Sequence, residues 1–299
     1  MAKNQKMIRY LLLLACAGVW WLAGLYLYLS PRLPEESALR NITLQTPMQV
    51  LSRDGALIGQ FGEQKRKPLK FEQIPQSFID ALLAAEDDGF FEHGGIEPLS
   101  LMRAVSELLL TGKKGSGGST LTMQVARNYF LTLDQTFLRK FTEILLAFQI
   151  EARLSKEEIF ELYVNRVFLG HRAYGFEAAA ETYYGKPLAE LTLAQHAMLA
   201  GVPKAPSRNN PLSNPEKGKI RRDWILGRMA SLGMINETEQ AAAQDTPITA
   251  SFYGQVVEVD AVGPHVAPAR EDAVGRRDVD SAHTHTISVS PSPSLSPSP

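Results

Sequence analysis

Three stretches of the chain hold side chains able to do chemistry together. The first is Ala84-Ala85-Glu86-Asp87-Asp88-Gly89-Phe90-Phe91-Glu92-His93-Gly94-Gly95-Ile96. It sets acids at the end of an apolar helix and follows them with two aromatics and glycines. A carboxylate held beside such a wall is partly desolvated, which raises its pKa toward the value a general base near neutrality needs. The alternative is a solvated helix end, although acids placed there oppose the helix dipole. His93 by itself reads as structural rather than as a ligand.

The second stretch is Gly115-Ser116-Gly117-Gly118-Ser119-Thr120-Leu121-Thr122-Met123-Gln124-Val125-Ala126-Arg127-Asn128. Glycines let backbone N–H groups approach an anion, and the hydroxyls with Gln124, Arg127 and Asn128 add donors. The spacing is not that of a P-loop, and a surface loop is the plain alternative. The third, Arg139-Lys140-Phe141-Thr142-Glu143, opens a helix and puts residues 139, 140 and 143 on one face. As a surface salt bridge it would contribute about 0.3–0.5 kcal/mol. Its polarity is wrong for that purpose, because the bases precede the acid and oppose the dipole.

These stretches need a helical frame, and the sequence supplies one. From Pro75 the apolar period is helical, with Ile79, Leu82 and Leu83 forming a stripe that stops near Gly89. Further helices are predicted at 98–110, 136–153, 156–168, 174–184, 192–201 and 216–231. Ser155 with Glu158 and Thr192 with Gln195 are capping boxes. Before this domain, Pro47 to Phe71 alternates around Arg53-Asp54-Gly55, a hairpin signal. The fold class is mainly α, with a small β-hairpin region.

Tyr10 to Leu29 is uncharged over its whole length. A helix of that length spans roughly 30 Å, the thickness of a bilayer's hydrocarbon core. Lys3, Lys6 and Arg9 precede it, which places the N-terminus in the cytoplasm and the rest outside. A cleaved signal peptide would have a shorter apolar core ending at small residues, and a lipoprotein site at Cys16 conflicts with the run continuing past it. The expectation is an uncleaved single-pass anchor.

Across the 299 residues, 31 basic side chains meet 32 acidic ones, a balance that disfavours a nucleic-acid partner. The single cysteine excludes a disulfide framework and a cysteine-based zinc site. The last twelve residues, SVSPSPSLSPSP, are too rich in Ser and Pro for a packed core, and His283 and His285 read as part of a solvated tail.

The order EDDGFFEHGGI, GGSTLTMQVARN, RKFTEILLAFQIE, followed by ELYVNRVFLGHRAYGFEAAAETYYGK and LAGVPKAPSRNNPL, resembles the glycosyltransferase half of class A penicillin-binding proteins, glycosyltransferase family 51. The resemblance runs over roughly residues 10–262. It implies a lysozyme-like helical glycosyltransferase domain that polymerises lipid II at the outer face of the cytoplasmic (inner) membrane, extending a growing glycan strand. Carried over by motif position, Glu86 is the general base and Glu143 the second carboxylate, assisting the pyrophosphate side directly or through a divalent cation, Mg2+ or Mn2+. Asp87, His93, Ser119, Thr120, Gln124, Arg127, Asn128, Arg139 and Lys140 match substrate-binding positions. Other cell-wall synthesis proteins are expected partners.

The implied organisation is a cytoplasmic N-terminus (1–9), an anchor (10–29), a linker with the hairpin (30–72), the glycosyltransferase domain (73–235), the start of an inter-domain linker (236–262) and a low-complexity tail (263–299). The family's transpeptidase half carries S-x-x-K and K-T-G, and neither occurs in this sequence. A truncated or frame-shifted gene is the expectation drawn from that. Two rival functions stand beside the synthase: a lysozyme-like enzyme that cleaves glycan strands, and an inactive anchored scaffold.

Overall fold

The computed structural model describes residues 2–34, 48–51, 53–54, 57–61, 67–112, 118–131 and 137–253. The chain divides into two units, Met1–Val257 and Glu258–Pro299. All of the second unit lies outside the described residues, as do the expected tail, residues 254–262 of the expected linker, and Gly115, Ser116 and Gly117 of the second stretch.

The first unit is mainly helical. Helix α1 (Ala2–Leu29) is followed by a short antiparallel pair, β1 (Met48–Leu51) and β2 (Leu57–Phe61), in which Met48 faces Phe61 and Val50 faces Gly59. Then come α2 (Gln76–Glu86), α3 (Pro98–Thr111), α4 (Leu121–Phe130), α5 (Phe137–Glu151), α6 (Lys156–Arg166), α7 (Phe176–Tyr184), α8 (Leu193–Gly201), α9 (Pro215–Ser231) and α10 (Glu237–Asp245). Several side chains of α1 lie outside the description, and among the described residues no helix is long and apolar enough to cross a membrane. The expectation of a span therefore stands on the uncharged run Tyr10 to Leu29 alone.

Local chemistry accounts for where these helices begin. The hydroxyls of Ser155 and Thr192 accept from the backbone N–H of Glu158 and Gln195, whose side chains reach back to the cap N–H groups. Two elements differ from the sequence reading. Leu121–Phe130, read as part of a glycine-rich loop, is a helix whose N-cap is Thr120, with residues 121–126 all buried. Glu237–Asp245, read as linker, is a helix with an Asn236/Glu239 capping box. Its only buried residue is Ala243, so it carries too weak an apolar stripe to announce itself.

Packing then fixes the end of α2. Phe78, Ile79, Leu82 and Leu83 are buried, and α2 lies against α8 and α9. The buried residues of α8 include Ala194, Ala197, Ala200 and Gly201, small enough for close approach. The Phe78 ring meets Phe176 edge-on at 4.7 Å, and truncating such a side chain to alanine costs roughly 3–5 kcal/mol. On the other side, α4 packs between α5 and α6, with Leu121, Val125, Leu146, Ile150, Phe160 and Val164 in the shared core. Gly95 is required where the turn after α2 crosses α5. Its φ is +91°, and a Cβ there would lie 2.8 Å from Glu151 Cγ.

Candidate active site

Glu86 is the last residue of α2. Its Oε2 accepts from Gln124 Nε2 at 3.0 Å, and its Oε1 is shielded from solvent with no hydrogen-bond partner among the described residues. Gln124 is positioned from behind by the buried Tyr163, whose hydroxyl lies 3.4 Å from Gln124 Oε1, long for such a bond. Burial pushes the Glu86 carboxyl up from its ordinary value. The Gln124 donor and the charges of Arg221, Lys204 and Arg127 oppose that rise without cancelling it. The free oxygen of a desolvated carboxylate is a proton acceptor in search of a donor.

Asp87 is used differently. Its carboxylate lies 3.0 and 3.1 Å from His93 Nε2, and its Oδ2 also accepts from the Leu121 backbone N–H at 2.8 Å. The N–H of Gly95 donates to His93 Nδ1 at 3.2 Å, so the ring proton sits on Nε2 and points at Asp87. Asp87 thus meets the N-terminus of α4, where a helix favours a negative charge. Thr120 tightens the same junction by donating to the Gly95 carbonyl at 2.6 Å and accepting from Met123 N–H at 3.2 Å. These contacts make Asp87, His93 and Thr120 a clasp between the first and second stretches.

Glu143 is 1% exposed and sits on α5. Lys140 Nζ donates to its Oε2 at 3.0 Å, whereas its Oε1 has the Arg139 charge at 3.3 Å without accepting a hydrogen bond among the described residues. Lys140 also donates to Ser119 Oγ at 2.6 Å, which ties the third stretch to the second. The surface salt bridge weighed above is ruled out by this burial. Ser119 and Thr120 are adjacent, so one residue step separates the Lys140 contact from the clasp around Asp87. Of the remaining positions, Arg127 faces Glu86 through its charge, and Asn128 enters through its carbonyl, which accepts from Arg166 Nε at 3.3 Å. Tyr163, Lys204 and Arg221 were missed by the sequence reading, because each reaches Glu86 only by tertiary packing.

The residues present do not form an all-protein cage for a divalent cation. Among the described residues no group of three or more His, Cys, Asp or Glu side chains converges, and both oxygens of Glu143 already face a cation.

A model of the family described as Transglycosylase matches residues 54–230, a range that contains all three stretches. The chain belongs to the transglycosylase family. It is similar to penicillin-binding protein 1A of Pseudomonas aeruginosa, 55% identical over 88% of this chain and 32% of that protein. The same-named proteins of Vibrio cholerae (42% identical; 94% and 34% covered) and Escherichia coli (41%; 86% and 31%) are also similar. A crystal structure of penicillin-binding protein 1A from Haemophilus influenzae is 34% identical, over 71% of this chain and 22% of that one, with a TM-score of 0.41. The chain spans about a third of the length of the curated relatives it matches. Within this transglycosylase, the acid with an unpaired oxygen and the acid flanked by cations both fall inside the matched range.

Proposed function

We propose that this transglycosylase polymerises lipid II into β(1→4)-linked glycan strands with inversion, releasing undecaprenyl pyrophosphate, in bacterial cell-wall biosynthesis. The observation that carries the reading is the pairing of Glu86, shielded and with Oε1 unpartnered, with a separate cationic group around Glu143. Glu86 Oε1 takes the proton from the GlcNAc 4-hydroxyl of the acceptor as that oxygen attacks C1 of the lipid-linked MurNAc. The bond from C1 to the phosphate oxygen breaks, and the electron pair leaves with the pyrophosphate.

That leaving group gathers negative charge, and preorganised cations stabilise it more effectively than solvent does. Lys140, Arg139 and Arg127 supply them, and Glu143 holds the first two in place. Ser119, Thr120, Gln124 and Asn128 line the donor cleft, while Asp87 and His93 set its floor through α4. The charge a Mg2+ or Mn2+ would bring is furnished here by side chains.

In this reading α1 anchors the chain in the cytoplasmic (inner) membrane, with Lys3, Lys6 and Arg9 inside and the catalytic domain at the outer face. Its partners are lipid II, the growing glycan strand, the membrane and other cell-wall synthesis proteins. Incubation of the purified chain with labelled lipid II tests the proposal. High-molecular-weight glycan is the expected product. Shortening of preformed strands without polymerisation would mark a lytic enzyme, and no turnover of either would mark a scaffold.

A further inference from the structure

One of the cations acting on Glu86 comes from outside all three stretches. Arg221 lies on α9, and its Nη2 donates at 3.0 Å to the carbonyl of Ala85, the residue before Glu86. That carbonyl belongs to the last turn of α2, where helix carbonyls lack a partner within the helix. The Arg221 guanidinium lies 4.3 Å from the centroid of the Trp224 ring one turn on. Its stem crosses the end of α8 at Gly201, where an added Cβ would lie 2.8 Å from Arg221 Cγ.

The base of this arm is fixed as well. Arg222 is 1% exposed and donates to the carbonyls of Gln244 and Thr246, both at 2.7 Å, which clamps α9 to the end of α10. Arg221 Nε and Glu86 Oε1 are both shielded from solvent, and neither has a hydrogen-bond partner among the described residues. The groups that face Glu86 come from every side: Gln124 and Arg127 from α4, Tyr163 from α6, Lys204 from the turn after α8, and Arg221 from α9. Of the three cations, Arg221 has the strongest influence on the carboxylate, and it also grips the backbone beside it.

We infer that Arg221 is a positioning residue for Glu86, pinning the last turn of α2 to α9 and presenting a fixed positive charge to the carboxylate. The inference rests on the reading of Glu86 as the general base. Burial already pushes the Glu86 carboxyl up, and the Arg221 charge restrains it. Without that charge the carboxyl rises further, and at a given pH more of the enzyme carries a protonated Glu86 that cannot accept a proton. The acid limb of the rate profile then moves to higher pH.

The test uses the full chain in detergent with fluorescent lipid II, following turnover against pH for the wild type, Arg221→Gln, Arg221→Lys and Glu86→Gln. Glutamine can still donate to the Ala85 carbonyl but carries no charge, whereas lysine keeps the charge without the planar fork. Arg221→Gln is expected to move the acid limb up by about one pH unit, a loss of roughly tenfold on that limb that is regained at higher pH, with KM little changed. Arg221→Lys is expected to keep the limb near its wild-type position and to lower kcat at all pH values.

An Arg221→Gln limb superimposed on the wild type, beside an inactive Glu86→Gln, overturns the inference alone. An active Glu86→Gln overturns the base assignment and the inference with it. Where Arg221→Gln fails to fold by circular dichroism, Gly201→Ala decides. It displaces the Arg221 stem and keeps its charge, so kcat is expected to fall with KM held, and an unchanged kcat overturns the inference.

Discussion

Glu86, half-buried with its Oε1 shielded, and Glu143, 1% exposed, are both acids on helices, yet their surroundings are opposite. At the end of α2 a carboxylate has one amide donor and one bare oxygen, with cations acting on it through space. On α5 a carboxylate has a cation at each oxygen, and one of those cations also holds the loop before α4. Burial without contact pairing makes a base, because the charged form is left in want of a proton. Burial with pairing makes an anchor for cations, because the acid's charge is spent on holding Arg139 and Lys140 in place.

The sharpest way to break this comparison is Glu86→Gln. The amide preserves shape but cannot take a proton, so polymerisation is expected to fall by about 10²–10⁴-fold or more, with lipid II binding largely kept. The same variant makes a stability claim of known sign. The folded Glu86 carboxyl lies above its ordinary value, so its ionised form opposes folding at neutral pH. That penalty fades as pH falls through the raised value and is gone below the unfolded value. Glu86→Gln is therefore expected to melt higher than the wild type at pH 7, with the gain vanishing in acid. Retention of a tenth of wild-type turnover, or a lower melting point at neutral pH, would count against a bare, desolvated base.

Second in size is the cationic side. Lys140→Ala removes one of three charges assigned to the leaving group and frees Ser119. Turnover is expected to fall by about 10- to 100-fold, at or below the range for losing one oxyanion-stabilising donor. A purely structural pair predicts normal rates with a lowered melting temperature. Rate and melting measurements on one preparation separate the two.

What could be read from the sequence follows from range. The capping boxes at Ser155 and Thr192 and the stripe Ile79, Leu82, Leu83 are local, and short-range rules suffice for them. Of the two principal acids, Glu86 stood out because it ends an apolar helix beside aromatics, and Glu143 because the bases before it oppose the helix dipole. Thr120 was legible as a hydroxyl but not as an N-cap, because the glycines before it suggested a loop. The Asn236/Glu239 box opening α10 was equally readable in principle and passed unnoticed for want of apolar residues behind it. Arg221, Lys204 and Tyr163 had no local signature at all. An arginine on an ordinary helix becomes part of a site only when α8 and α9 fold against α2.

Asp87 sharpens the comparison at a smaller scale. It is the immediate neighbour of Glu86, but its oxygens are taken by His93 and by the first turn of α4. Asp87→Asn keeps an acceptor and loses the charge that both partners favour. A destabilisation of roughly 1.5–3 kcal/mol is expected, in the range for hydrogen bonds to charged groups. Turnover should fall through displacement of α4, with less loss than in Glu86→Gln. Full stability with abolished turnover would instead place Asp87 in the chemistry itself.

The smallest effect is expected at the third acid of the run, Asp88. Its side chain is 39% exposed and pairs with Arg228 of α9, itself 42% exposed. Exposed pairs pay side-chain entropy and are screened by solvent, so Asp88→Asn should change stability by no more than about 0.5 kcal/mol. Turnover should match the wild type, because Arg221, not Arg228, grips the carbonyl beside the base. Both arginines project from α9 toward the same turn, which makes Asp88→Asn a control for α9 docking in general. If it slowed turnover as much as Arg221→Gln, the whole contact between α9 and the end of α2 would set the rate. If it is silent while Arg221→Gln shifts the acid limb, the effect belongs to Arg221, the half-buried cation that grips the carbonyl beside Glu86.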